Sequence, residues 1–270
     1  MFKEKRNKWA LAGLILAAAG GVFWVTHLYH PGPMWVNDDF EDGVDPVWMW
    51  EIAHEGQAQV VADPTNPTNQ VIYFKIKRDD PNVKKSKRVE IKLGTVKMGS
   101  SWRYAFSALL PEDYALDQSS ENLAQWHEMP DFILGEFWRS PPLKIMTRDG
   151  RWILNRKVSD LKVNRFIGLK SKAIHTEFDI DLGPAENMKW VRWEFHVKWS
   201  HRDDGRLLVF RDGVEVHNVS GPTTYNDWKG PYFKIGMYKP DWTVYPERSV
   251  LEMRDVYYDD ILAEPIEDMP

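Results

Sequence analysis

Three short stretches of the sequence combine side chains that can bind ions and move protons. They are Arg88–Glu90, Gln125–His127 and Tyr232–Tyr238. Side chains of a β-strand alternate between its two faces, so each stretch turns its polar residues one way and its apolar residues the other. We therefore expect three neighbouring strands of one concave sheet, with an active site on the polar face and a core behind it.

The residue types on that polar face suit an anionic ligand and a proton transfer. Arg88 is always charged and can bind a carboxylate through two parallel N–H donors. Gln125 is a neutral donor, and His127 exchanges a proton near neutral pH. Tyr238 can lose its phenolic proton where neighbouring cations such as Lys234 favour the phenolate.

The composition excludes several classes of protein. The 270 residues contain no cysteine, which rules out disulfides, thiolate nucleophiles and cysteine metal sites. A formal net charge of −5 argues against a nucleic-acid partner. An apolar fraction of 43% is enough for a core, and the 14 tryptophans favour a carbohydrate ligand, because indole rings also stack on sugars.

The first thirty residues predict export of the rest of the chain. Residues 1–8 carry four cations, and residues 9–29 contain no Asp, Glu, Lys or Arg. About 20 apolar residues span a bilayer, and a basic flank stays in the cytoplasm. We expect residues 1–30 to form an uncleaved hydrophobic helix that anchors the protein in the membrane, or else a cleaved signal peptide. The folded domain is then held on the periplasmic or extracellular side, or secreted.

The rest of the chain predicts one all-β domain. Residues 31–35 form a linker rich in proline and glycine, residues 36–265 the domain, and residues 266–270 a tail. Many short runs rich in β-branched and aromatic residues, separated by turn signals, indicate a sandwich or jelly roll.

Local signals refine this β-rich pattern. The dipeptides Asp149-Gly150 and Asp212-Gly213 predict tight hairpin turns. Within the all-β domain, Pro111–Ser120 is the stretch with room for one short helix.

In their order along the chain, the three polar stretches resemble the signature strands of jelly-roll polysaccharide lyases, the group of alginate lyases, glucuronan lyases and heparin-lyase-like proteins. Asp39–Gly43 and Trp193–Ser200 extend the similarity, which covers residues 36–263. The resemblance implies a concanavalin-like β-jelly-roll sandwich of two antiparallel sheets. It also implies an acidic polysaccharide as the substrate, cleaved by β-elimination at a uronic acid.

A β-elimination removes the proton on C5 of the uronic acid and expels the sugar bound to O4. Fixed donors must neutralise the carboxylate as charge develops, and we expect Arg88, Gln125 and His127 to do this. The resemblance implies Tyr238 as the acid, or as both base and acid when proton and leaving oxygen lie on the same side. His127 is the base for the opposite geometry.

Four further residues are expected to contact substrate or to support those that do. Glu90 would orient Arg88, and the basic cluster around Lys87 would bind acidic sugars together with Lys234 and Tyr232.

Two other functions compete with the lyase hypothesis. Glu177 and Asp179 share one strand face, and paired carboxylates are what a glycoside hydrolase needs. A module that binds acidic glycans without cleaving them would use the same polar face.

The resemblance requires no cofactor, but jelly rolls of this kind often hold a structural calcium near their first and last strands. Glu41, Asp42 and Asp259 offer the oxygen ligands that calcium prefers. We expect a monomer.

Overall fold

The protein is built almost entirely of β-strands. The structure is a computed structural model that describes residues 34–163, 175–267 and 269. The strands within these residues are β1 Val36–Asp38, β2 Met49–Glu51, β3 Ala58–Ala62, β4 Gln70–Lys77, β5 Lys87–Lys97, β6 Ser101–Leu109, β7 Glu121–His127, β8 Leu143–Arg148, β9 Arg151–Val158, β10 Thr176–Pro184, β11 Val191–Lys198, β12 Arg206–Arg211, β13 Val214–Ser220, β14 Lys229–Lys239 and β15 Met253–Ile266.

The strands form two antiparallel sheets. The front sheet has seven strands in the order β10-β9-β8-β7-β14-β5-β2, and the back sheet has the order β13-β12-β11-β6-β15-β4-β3, with β1 paired to β15. Neighbours in each sheet are often distant in sequence, as β14 is between β7 and β5. Two such sheets packed face to face make the predicted jelly-roll sandwich.

The core lies between the sheets because the strands alternate apolar and polar residues. In β11, every second side chain from Val191 to Val197 is fully buried. Trp126 of the front sheet is fully buried, with its ring centroid 4.6 Å from Phe195 and 5.3 Å from Tyr104 of the back sheet. The prediction that Trp126 anchors its strand in the core is confirmed.

Both predicted hairpins are present. Asp149 and Gly150 join β8 to β9 with φ of 50° and 70°, and Asp212 and Gly213 join β12 to β13 with φ of 52° and 79°. Positive φ at both central positions is the turn geometry that matches the twist of two-residue hairpins.

The helical content departs from the prediction at one place. Residues 111–120 form turns and irregular structure, so the prediction of a short helix there is wrong. The α-helix of the described residues is α1, Asp241–Val244, and single 3₁₀ turns cover Glu55–Gln57, Phe132–Leu134 and Pro246–Arg248. No helix within the described ranges is long and apolar enough to cross a membrane. The predicted anchor at residues 1–30 lies outside the described residues.

Candidate active site

The three polar stretches lie on adjacent strands of the front sheet. β14 pairs with β7 on one side and with β5 on the other. Tyr232 is opposite His127, and Tyr238 is opposite Arg88. The predicted adjacency of the three strands is therefore confirmed, and their polar side chains share one face.

Gly236 gives β14 its shape at the centre of the site. Its φ of +134° is a value that favours glycine, and a Cβ atom there would lie 2.3 Å from the carbonyl oxygen of Val89 on β5. The hydroxyl of Tyr258 donates to the Gly236 carbonyl at 2.8 Å from beneath. The missing side chain lets the backbone of β5 approach closely at this point.

A cluster of charges forms the floor of the site. We call Lys84, Arg88, Lys92, Lys234, Glu51 and Glu90 the cation cluster. Glu51 of β2 is in ion-pair contact with all four cations, and Glu90 with two of them. Burial raises the pKa of Glu51, but the charges and hydrogen bonds of Lys234 and Lys84 outweigh burial and hold the pKa well below its ordinary range. Four cations against two carboxylates leave two positive charges in surplus, which suits an anionic ligand.

Arg88 keeps donors available for such a ligand. Its Nη1 lies 3.4 Å from both Glu51 and Glu90, which are long contacts, and its Nε has no hydrogen-bond partner among the described residues. The guanidinium lies over the ring of Tyr238, with its carbon 4.4 Å from the ring centroid. Arg88 is thus held next to Tyr238 with N–H groups that no described residue engages closely, which suits a carboxylate-binding residue.

Two residues expected to bind substrate are engaged elsewhere. Lys234 is 1% exposed and donates to Glu51 at 2.9 Å and to Glu90 at 2.6 Å, so it stabilises the floor rather than contacting a ligand. Lys87 donates to the carbonyl of Asp80 and stands one residue before Arg88. Alternation along β5 therefore turns Lys87 away from the site. Direct substrate contact by either lysine is not supported.

The amide of Gln125 is oriented by Glu90. Its Nε2 donates to Glu90 Oε1, and its own Oε1 is buried without a donor in the part of the chain that the structure describes. One amide hydrogen of Gln125 stays available. Glu90 therefore contacts Gln125, Lys234 and Arg88 together, which is a wider role than orienting Arg88 alone.

His127 is held by a neighbouring carboxylate. Its Nδ1 lies 2.7 Å from Glu128 Oε2 and 3.2 Å from the Glu128 carbonyl oxygen. Both neighbours can only accept, so Nδ1 carries hydrogen and Nε2 faces the ligand. The ring stacks on Tyr232 with centroids 5.6 Å apart and meets the edge of Trp138 at 5.3 Å.

Glu128 is itself fixed from behind. Its Oε1 accepts the backbone N–H of Arg139 at 2.5 Å, and the Arg139 side chain pairs with buried Asp227 and Glu136. Burial and the nearby carboxylates of Glu136 and Glu128 raise the pKa of Asp227, although Arg139 opposes the shift. The loop between β7 and β8 thus rests on a buried ionic network.

The two tyrosines of β14 lie in different surroundings. Tyr232 is buried beneath His127, and burial raises its pKa well above the ordinary value, with the negative charges of Glu51 and Glu128 adding to the effect. Tyr238 is only partly buried. Tyr238 is therefore the better placed of the two for proton transfer, and Tyr232 supports the imidazole.

His127 and Tyr238 lie at opposite ends of the site. Tyr238 pairs with Asn122 on β7, and His127 comes five residues later on the same strand. Both strands are irregular between these positions, so the separation is shorter than that of five residues of regular strand. Gln125 and Gly236 lie between the two residues.

Two functional candidates escaped the sequence analysis. Glu51 lies on a strand of three residues, too short to show a period, and its partners are 33 and 183 positions away. Glu128 directly follows the Gln125–His127 stretch, so its adjacency to His127 was a usable signal.

The rival carboxylates are paired with cations. Glu177 contacts Lys157 at 3.0 Å, and Asp179 contacts Arg148 at 3.0 Å on the solvent side of β10. Burial raises the pKa of Glu177, but hydrogen bonds from Asn155 and Lys157 prevail and lower it overall. A hydrolase needs one carboxyl group with a raised pKa as its acid, so this pair does not fit that chemistry.

Two of the residues predicted to hold calcium accept hydrogen bonds from two adjacent residues of the chain. Glu41 accepts the Gln70 N–H at 2.8 Å, and Asp259 accepts a hydrogen bond from Asn69 at 2.8 Å. Among the described residues, the carboxylates that converge are those of Asp131, Glu136 and Asp227. The last two already form ion pairs with the Arg139 guanidinium. The geometry gives the calcium prediction no support.

Comparison with known proteins agrees with this fold. The polysaccharide lyase family matches residues 40–262, which is most of the chain. No curated protein sequence gives a significant match. The chain belongs to the polysaccharide lyase family, and it is an enzyme that cleaves a uronic-acid-containing polymer by β-elimination.

Solved structures share the architecture at low sequence identity. An endo-β-1,4-glucuronan lyase from the fungus Trichoderma reesei superposes with a TM-score of 0.70 at 18% identity, covering 87% of this chain and 96% of its own. Alginate lyase A1-II′, of polysaccharide lyase family 7, superposes with a TM-score of 0.54 at 13% identity, covering 78% of this chain and 84% of its own. Alginate lyase AlyC3 in complex with dimannuronate superposes with a TM-score of 0.52 at 13% identity, covering 74% of this chain and 76% of its own. These likenesses establish the shared fold.

Proposed function

We propose that this lyase cleaves a 4-linked polyuronate, with polyglucuronate the first candidate, at a site formed by Arg88, Gln125, His127 and Tyr238. One observation carries the proposal. The four residues lie on the polar face of three hydrogen-bonded strands, and Arg88 belongs to the cation cluster, which has two positive charges in surplus. Glucuronate is favoured because the glucuronan lyase superposes with a TM-score of 0.70, whereas the two alginate lyases give TM-scores of 0.54 and 0.52.

The uronate carboxylate would be held by three donors. Arg88 offers its unpaired N–H groups, Gln125 its remaining amide hydrogen, and His127 its Nε2–H when the ring is protonated. The Glu128 carboxylate beside Nδ1 supplies the counter-charge of that protonated form. These donors would stabilise the negative charge that grows on the carboxylate as the C5 proton leaves.

Tyr238 would carry the proton in both directions. In glucuronate the C5 hydrogen and O4 lie on the same side of the ring, so one group can serve both atoms. The Tyr238 phenolate takes the C5 proton, the C5–H electron pair becomes the C4–C5 double bond, the C4–O4 bond breaks, and the phenol returns the proton to O4. The Arg88 guanidinium lies over the Tyr238 ring and would supply a positive charge beside the phenolate.

The test is cleavage by the wild type and by Tyr238→Phe. Wild type should release unsaturated products, detected by their ultraviolet absorbance, from polyglucuronate in preference to alginate or heparin-type polymers. Tyr238→Phe should lose about 10²- to 10⁴-fold in kcat, the usual contribution of a general acid–base group, with substrate binding nearly unchanged. Tyr245→Phe, an exposed tyrosine beyond β14, is the control.

Two results would contradict the proposal. Activity retained in Tyr238→Phe would remove Tyr238 from the mechanism. A preference for polyguluronate, in which the C5 hydrogen and O4 lie on opposite sides, would require a second group and would assign the base to His127.

A further inference from the structure

A row of polar side chains crosses the front sheet at right angles to its strands and passes through Gln125. Each member is the register partner of the next. The row consists of Lys92 on β5, Lys234 on β14, Gln125 on β7, Lys144 on β8, Asn155 on β9 and Asp179 on β10. Adjacent strands are about 4.8 Å apart, so the five steps of the row span about 24 Å.

Lys144 is the unpaired cation of this row. Lys92 and Lys234 pair with Glu51, and Asp179 pairs with Arg148. Across residues 34–163 and 175–267, no hydrogen bond or ion pair reaches the Lys144 ammonium group, and the nearest carboxylates already bind other cations. Burial lowers the pKa of Lys144 to about 8, with the positive charge of Lys157 adding to the shift, so the group is mostly charged at neutral pH.

The side-chain amide oxygens on either side of Lys144 accept no hydrogen bond from any described residue. Asn155 Nδ2 donates to Glu177 at 2.7 Å and to Asp179 at 2.6 Å, and Gln125 Nε2 donates to Glu90, so carboxylates fix both amide orientations. The carbonyl oxygens of both amides are buried without a partner in the described chain, and both residues are 1% exposed. Buried polar atoms are nearly always hydrogen-bonded, so the group lacks a ligand that brings one anion and two donors.

We propose that Lys144, Gln125 and Asn155 form a uronate-binding subsite beside the catalytic groups. Lys144 pairs with the carboxylate of one sugar, and the two amide oxygens accept hydrogen bonds from its hydroxyl groups. The inference rests on the proposed function and extends it, because it identifies residues that select an acidic polymer over a neutral glucan. It also predicts that the polysaccharide runs along the row, across the strands.

The experiment compares three variants in steady-state cleavage of polyglucuronate. Lys144→Met removes the charge at similar length, Lys144→Arg keeps it, and Lys75→Met removes a lysine from β4 of the back sheet. Lys144→Met should raise KM about 10- to 100-fold, as expected for a lost hydrogen bond between charged groups, with kcat changed less than about threefold. Lys144→Arg should stay near wild type, and Lys75→Met should match it.

Salt dependence separates charge recognition from packing. The fall of kcat/KM with rising salt should be shallower in Lys144→Met than in Lys75→Met, because one ion pair with the substrate is gone. Thermal unfolding checks that each variant folds, and Lys144→Gln replaces the methionine variant if that one does not.

The outcomes distinguish the two proposals. An unchanged KM in Lys144→Met, or an equal rise in Lys144→Arg, overturns the subsite while the lyase function stands. A lower melting temperature with unchanged KM also overturns it, since Lys144 then serves only the fold. Failure of the wild type to produce unsaturated sugars from any polyuronate overturns the proposed function itself.

Discussion

Replacing Glu128 by glutamine tests how the imidazole of His127 is used. Glu128 is buried, accepts the Arg139 N–H at 2.5 Å through Oε1, and places Oε2 2.7 Å from His127 Nδ1. A glutamine whose amide oxygen keeps the Arg139 hydrogen bond turns its NH₂ group toward Nδ1–H. Two donors then face each other, and the protonated imidazole loses its counter-charge.

The expected loss follows from that one contact. The contact is an ion pair, because the hydrogen bond of Nδ1 goes to the Glu128 carbonyl oxygen. We take its contribution as about 1.5–3 kcal/mol, the range for contacts with charged groups, and each 1.4 kcal/mol of barrier is about tenfold in rate. Glu128→Gln should therefore lower kcat/KM on polyglucuronate by about 10- to 150-fold. Glu264→Gln, which removes an ion pair with Arg103 on the back sheet, should stay within about twofold of wild type.

The pH profile of kcat/KM identifies the protonation state that works. If protonated His127 holds the carboxylate, activity falls as pH rises through the histidine titration. A wild-type rate that instead falls as pH drops through the histidine titration would refute this role and assign His127 as a neutral base. A Glu128→Gln variant with wild-type activity would refute the contact itself.

Two further predictions concern Lys144 and Gly236. The pKa of Lys144 is about 8, so KM should rise as pH passes 8 and the lysine loses its charge. The groups around it are Gln125, which is uncharged, and the ion-paired Lys157, Arg148, Glu177 and Asp179. A KM that stays constant between pH 7 and 9 would contradict this prediction. Gly236→Ala should lower the melting temperature by about 6–12 °C, because about 3 kcal/mol of strain and clash is added. Gly99→Ala is the control, since its Cβ would meet no atom within 4 Å, and equal losses in both variants would show that the Val89 carbonyl relaxes.

The sequence was informative where structure depends on neighbours along the chain. Strand alternation placed Trp126 in the core and Gln125 on the polar face, and the Asp-Gly dipeptides gave both hairpins. The same rule should have excluded Lys87, because a residue directly before Arg88 on a strand faces the opposite way. Crowding in the sequence suggested one basic patch, although the residues of a strand divide between two faces.

The sequence was uninformative where structure depends on partners far along the chain. Lys234 was expected to contact substrate, but Glu51, 183 positions away, and Glu90 engage it in the floor. Nothing near Lys234 reveals these partners, because β2 reaches it only through β5 in the folded sheet. The same limit hid Lys144, whose importance rests on the partners it lacks.

The contacts of the cation cluster separate residues that stabilise the empty site from residues left for substrate. A buried lysine without a carboxylate would be costly, and Glu51 and Glu90 meet that need for Lys234. The two carboxylates can then neutralise little further positive charge, since Glu51 already contacts four cations. Arg88 is left with long contacts and free donors, and Lys144 lies beyond reach of either carboxylate. An acidic polymer would thus supply the negative charges that the cation cluster and Lys144 lack, and an uncharged polymer could not do so.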